Sequence, residues 1–187
     1  MAERPHLQPP EGEATEALWR KALDVHRRLL EAYGEPEPRP SDPIGTLVST
    51  ILSQNTNDVL RDQAFRRLRE RFGTWEEVRE APVEEIAQAI QVSGLGAQKA
   101  RRIKAALERI TEERGALSLD FLREMPVEEA RAWLTSFDGV GPKTAAIVLL
   151  FALGMPAFPV ATHIHRVSKQ LGLIPPKASR EKAHGTL

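Results

Sequence analysis

One stretch restricts the fold more than any other. It is Phe137-Asp138-Gly139-Val140-Gly141-Pro142-Lys143-Thr144-Ala145-Ala146, followed by apolar residues to Phe151. Glycine tolerates positive φ, so Gly-Val-Gly reads as a tight hairpin. Proline suits the first turn of a helix, where its missing N–H is not needed. Residues Pro126 to Thr135 read as a helix before the turn, with Val127, Ala130, Trp133 and Leu134 inward. The segment therefore predicts helix, hairpin, helix, with Lys143 at the start of the second arm. Backbone N–H groups at such a turn can hold a phosphate. A lysine amine beside such a turn is a candidate nucleophile. Together they predict chemistry on a nucleic-acid backbone. The competing reading is a solvated lysine after a common turn.

The rest of the chain is patterned for helices. Leu18, Ala22, Val25, Leu29 and Ala32 recur at helical spacing between Glu13 and Tyr33. Residues 1–12 carry Pro5, Pro9, Pro10 and Gly12 and are expected to lack fixed structure. Pro36, Pro38, Pro40 and Pro43 make residues 35–43 a stiff linker and a domain boundary. From Pro43 to Gln54, Ile44, Leu47, Val48, Ile51 and Leu52 leave little polar face and predict a buried helix. Ser53-Gln54-Asn55-Thr56 cannot enter an apolar core without partners, so a polar turn follows, with Asn57 or Asp58 as the next cap. A helix to Phe72 carries Arg61, Arg66, Arg67, Arg69 and Arg71, read as a solvated face. Two short helices then lead to a second glycine turn, Gly94-Leu95-Gly96, before a helix with Lys99, Arg101, Arg102 and Lys104. Packing is the favoured role for that turn. The second arm of the main hairpin, Pro142 to Leu153, is nearly all apolar and reads as a buried centre. A helix from Thr162 to about Leu171 carries His163 and His165, whose spacing of two makes a poor metal pair, and another helix starts at Ser179. No stretch alternates as a strand does, so the fold class is all-α.

Composition removes several functions. The 187 residues hold no cysteine, which excludes disulfides, thiol catalysis and any cysteine-held cluster. Lys+Arg and Asp+Glu are both 26, so a nucleic-acid surface must come from segregated rather than excess charge. No apolar window approaches membrane-spanning length and no signal peptide opens the chain, so a cytoplasmic protein is expected, with no membrane partner.

The hairpin and a second segment, Pro159-Val160-Ala161-Thr162-His163-Ile164-His165-Arg166-Val167, resemble the endonuclease III family of helix-hairpin-helix DNA glycosylases. That family pairs Gly-Val-Gly-x-Lys-Thr-Ala with Val-Asp-Thr-His-Ile-x-Arg-Val. The resemblance runs from about Pro43 to Lys182. It implies a six-helix barrel over 44–155, with the helix-hairpin-helix at 126–153. It adds a second helical domain, made from the helix at 13–34 and the start of a C-terminal helical part at 156–187. It implies Lys143 as nucleophile and a base excision repair glycosylase/AP lyase activity. It implies DNA contacts through Gly139, Val140, Gly141, Thr144 and His163. A family glutamine fills the gap left by a flipped nucleotide; ungapped alignment puts Asn55 there, with Gln54 beside it, and either is a candidate. The implied partner is duplex DNA with a damaged base or an abasic site, bound by a monomer near the nucleoid.

Three departures accompany the resemblance. The cluster cysteines and the C-terminal helices that carry them are missing, so no iron–sulfur cofactor and no metal is expected, and the helix at 13–33 is expected to expose its apolar stripe. Asp138 stands where many members have proline. Ala161 stands at the family's catalytic aspartate, so catalysis is expected to be impaired. Two alternatives follow: a non-catalytic lesion-binding module, and a helical scaffold without a nucleic-acid role.

Overall fold

The computed structural model describes residues 13–36 and 41–184; the expectation for residues 1–12 lies outside them, as does part of the proline-rich linker. Ten α-helices are described: α1 Glu13–Tyr33, α2 Pro43–Leu52, α3 Asp58–Arg71, α4 Trp75–Glu80, α5 Val83–Ile90, α6 Gly96–Arg114, α7 Val127–Thr135, α8 Pro142–Ile147, α9 Thr162–Gln170 and α10 Arg180–Ala183. Short 3₁₀ turns cover Gln91–Ser93 and Asp120–Glu124. Among the described residues there is no strand, and no helix is long and apolar enough to cross a membrane. The all-α expectation holds.

The chain forms two compact units, one of residues 39–161 and one of residues 1–38 with 162–187. The larger unit starts its helices where local chemistry dictates. The Asp42 carboxylate accepts from the Ile44 N–H at 3.0 Å, with Pro43 in the first turn of α2. Asn57, rather than Asp58, caps α3 by accepting from the Leu60 N–H at 2.9 Å. Thr74 caps α4 in the same way. α6 runs through the unit and packs on α5, α4 and α2, while α2 also packs on α3 and α8. Leu47, Ile51, Leu52, Leu68, Ile86, Ile90, Ile103, Leu107 and Ile110 are fully buried between them. Phe121, Trp133 and Phe137 pack edge to face at centroid separations of 5.0 and 4.7 Å, and Arg109 and Arg114 of α6 lie over their rings. This ladder fixes the first arm of the hairpin to α6.

One expectation is corrected. The second arm is not one α-helix: α8 gives way to a π-helical turn over Val148–Ala152, and Phe151 is 61% exposed. The wider turn rotates the apolar run, so that Val148, Leu149 and Ala152 stay buried while Phe151 does not. α2 has the narrow polar face that its sequence leaves. Ile44, Leu47, Val48, Ile51 and Leu52 are buried as expected, but Thr46, Ser49 and Thr50 stand together on the other side. Short hydroxyl side chains can return to their own helix: Thr50 donates to Thr46 O and Ser53 to Thr50 O, both at 2.7 Å.

In the smaller unit, Lys21 of α1 donates to Leu171 O at 2.7 Å, and the His165 ring bonds Ala178 O at 2.9 Å. Leu18, Leu23, Leu29 and Tyr33 of α1 are exposed.

Candidate nucleic-acid site at the hairpin

The turn between α7 and α8 is built asymmetrically. Gly139 takes φ 78°, which a residue with Cβ resists, and a Cβ there would lie 2.7 Å from Arg102 Cδ. Gly141 needs neither freedom: its φ is −89°, and nothing lies within 4 Å of where its Cβ would be. What glycine leaves at 141 is bare, approachable backbone. Val140 N–H returns to Phe137 O and Ala145 N–H to Gly141 O. Among the described residues, the N–H groups of Gly141, Lys143 and Thr144 have no backbone acceptor, as expected at a helix start. Val140 and Thr144 are buried, so only their backbone can meet a ligand.

Lys143 is exposed, and its amine makes no bond to the described residues. It stands at the edge of a groove of about 690 Å³ together with Thr46, Ser49, Thr50, Ser53 and Thr56. The volume suits a small-molecule-sized group. Ile147 and Phe65 supply apolar wall, and Asp42, Asp58 and Arg61 the charge. Asp42 is committed to Ile44 N–H and to Trp75 Nε1, and Arg61 to Asp58 and Asp62. Ser49 Oγ has no partner among the described residues.

The polar loop after α2 meets the hairpin. Gln54 Nε2 donates to Gly139 O at 2.6 Å, and Gln54 Oε1 accepts from Arg102 Nη1 at 3.1 Å. Both ends of this amide are used within the protein. Asn55 takes the left-handed conformation, φ 53°, is exposed, and its side chain has no partner among the described residues. Asp138 is paired with Arg102 at 3.1 Å.

The structure brings Gln54, Asn55, Gly139, Gly141 and Lys143 into one unit. Ala161 is half-buried and does not line the Lys143 groove, and His163 is exposed on α9 of the smaller unit. The basic face of α3 is partly committed: Arg69 donates to Gly73 O and stacks on Trp75, and Arg71 pairs with Glu85, while Arg66 and Arg67 stay exposed. Sequence reasoning missed Ser49 and Arg102. The hydroxyls Thr46, Ser49, Thr50 and Ser53 fall at helical spacing, which was a usable signal; nothing local marked Arg102 among its basic neighbours.

A hairpin between two helices, with bare backbone at its tip and an exposed lysine beside it, defines a helix-hairpin-helix protein. Residues 48–187 match the HhH-GPD superfamily of base excision DNA repair proteins, and the chain belongs to that family. It is 43% identical over 165 residues to a protein of Arabidopsis thaliana named for DNA glycosylases, covering 87% of this chain and 56% of the relative. It is 40% identical over 131 residues to endonuclease III of Sulfolobus acidocaldarius, covering 69% of this chain and again 56% of the relative. The chain thus spans little more than half the length of these relatives. A solved non-covalent complex of endonuclease III with DNA superposes with a TM-score of 0.67 at 30% identity, over 91% of this chain and 75% of that one.

Proposed function

We propose that this chain acts on duplex DNA as a base excision repair lyase, with Lys143 as the amine that forms a Schiff base, and that preformed abasic sites are its best substrates. The observation that carries this reading is the placement of Lys143: unpaired, exposed, and facing a hydroxyl-lined groove beside bare hairpin backbone.

The chemistry follows from those groups. An abasic deoxyribose opens to an aldehyde. The Lys143 amine adds to C1′, and loss of water gives the protonated imine. That imine acidifies C2′–H; removal of this proton and departure of the 3′ phosphate oxygen break the C3′–O bond. Water then hydrolyses the imine and frees the amine. The N–H groups of Gly141 and Thr144 serve a backbone phosphate, and Asn55, whose amide is free, fills the gap in the duplex in place of the committed Gln54. The groove hydroxyls, Ser49 above all, hydrogen-bond the extrahelical sugar. A base still attached is a harder case. Its departure leaves positive charge on the sugar, and Ala161 has no carboxylate to meet it. General acid–base help is worth roughly 10²–10⁴-fold.

The test compares strand cleavage at an abasic site with removal of an oxidised pyrimidine, for the native chain and for Ala161→Asp. The reading expects cleavage at the abasic site by both, and base removal at least about 10²-fold faster in the variant. Equal base removal by the two proteins would count against it. Ala161 also favours a second reading, a lesion-binding module without chemistry. Duplex binding that survives Lys143→Ala, with no product from either protein, would identify that case.

A further inference from the structure

We propose that Arg102 is the positioning residue that joins the hairpin to the Asn55 loop, so that the two elements meet DNA as one rigid unit. This inference rests on the reading that those elements face DNA. The joint itself is visible in the protein alone. Arg102 comes from α6, in neither element. Its Nε donates to Asp138 Oδ2 at 3.1 Å and its Nη1 to Gln54 Oε1 at 3.1 Å. Gln54 Nε2 closes the ring on Gly139 O at 2.6 Å. The guanidinium stem lies against Gly139 where any Cβ would sit, 2.7 Å from Cδ and 2.8 Å from Nε. One turn earlier on the same helix, Lys99 donates to Leu52 O, the carbonyl at the end of α2 from which the loop departs.

An alternative use for Arg102 is a direct phosphate contact. Its present partners argue otherwise. The guanidinium is mostly covered and its charge faces Asp138, so a phosphate would have to displace a carboxylate already in place. The network also explains Asp138, which otherwise places a negative charge beside a phosphate site: that charge is spent on Arg102. Gln54, anchored on both amide ends, fixes where Asn55 begins. A shift of about 1 Å in such a group can cost about 10²-fold in rate.

The test uses Arg102→Ala, Gln54→Ala and the double variant, in two arms. The first is hydrogen exchange on the free protein. Arg102→Ala is expected to raise exchange in residues 53–57 and 138–141 together, with the rest of the unit unchanged. An increase in neither loop, or in only one, overturns the proposal whatever the protein does to DNA. The second arm is borohydride trapping on a duplex with one abasic site, read as the rate at saturating protein and as the half-saturating concentration. Arg102→Ala is expected to lower the saturated rate about tenfold or more, to leave the salt dependence of binding unchanged, and to lose nothing further when Gln54→Ala is added. Additive losses, or a salt slope reduced by about 0.9, would make Arg102 an independent phosphate contact and overturn the proposal. A native chain that binds the duplex but traps no product would reject the proposed function instead, and leave the exchange arm to decide the joint.

Discussion

The two glycine turns, Gly94-Leu95-Gly96 and Gly139-Val140-Gly141, each place a lysine at the start of a helix, yet the lysines end in opposite environments. Lys99 is 1% exposed and donates to Leu52 O and Ser93 O, each at 2.8 Å. Lys143 is exposed and has no partner among the described residues. Register makes the difference. Lys143 follows directly on Pro142 in the first turn of α8, where its side chain reaches the groove. Lys99 sits later after its turn, and α6 directs it under the chain to the carbonyl end of α2, where the helix dipole favours a cation. Both turns put their first glycine at positive φ, Gly94 at 68° and Gly139 at 78°, and the first turn also holds Leu95 there, at φ 52°. A lysine after a glycine turn is therefore a brace in one place and a candidate nucleophile in the other.

The contrast can be broken by substitution. The largest stability change is expected at the brace. Lys99→Met leaves two buried carbonyls unsatisfied, at about 1–3 kcal/mol each, whereas Lys143→Met should stay within about 0.5 kcal/mol of the native protein. Urea unfolding of both variants checks this, and equal losses would erase the distinction. Lys99 also has a pH signature. Burial pushes its ammonium below the ordinary lysine value of 10.5. The folded protein then holds that proton less tightly than the unfolded chain, so the unfolded state binds more protons in that window. Stability is expected to rise with pH from the depressed folded value up to the ordinary one. Lys99→Met should remove this rise and Lys143→Met should not. The smaller effects lie in the glycines. Gly139→Ala forces a side chain into a left-handed position against Arg102 and should cost about 1–3 kcal/mol. Gly141→Ala should leave stability nearly unchanged and weaken binding to an abasic duplex, because the new methyl covers backbone that is open in the native chain.

Much of the fold was legible because helical spacing and caps are local. The boundaries of α1 and the hairpin arms could be read from Gly34, Pro126, Pro142 and the apolar positions between them. The π-turn was not legible, since an apolar run such as Val148-Leu149-Leu150-Phe151-Ala152 reads the same in either winding. At the site, Lys143 and the glycines were readable from their motif. The separation of Gln54 from Asn55 was not. Both are amides in one polar turn, and only Arg102 and Gly139, distant in sequence, show that the first is committed and the second is free. The same holds for Lys99, whose burial depends on where α2 ends rather than on its own neighbours.

The most direct measurement is borohydride trapping on a duplex carrying a single abasic site, with Lys143→Ala alongside. Borohydride reduces a Schiff base to a stable cross-link, so the bond to the nucleophile is recorded. The native chain should give a cross-linked product, Lys99→Met should still give it, and Lys143→Ala should give none. A cross-link that persists in folded Lys143→Ala, or its absence from the native chain while bound to that duplex, would contradict Lys143 as the reacting amine.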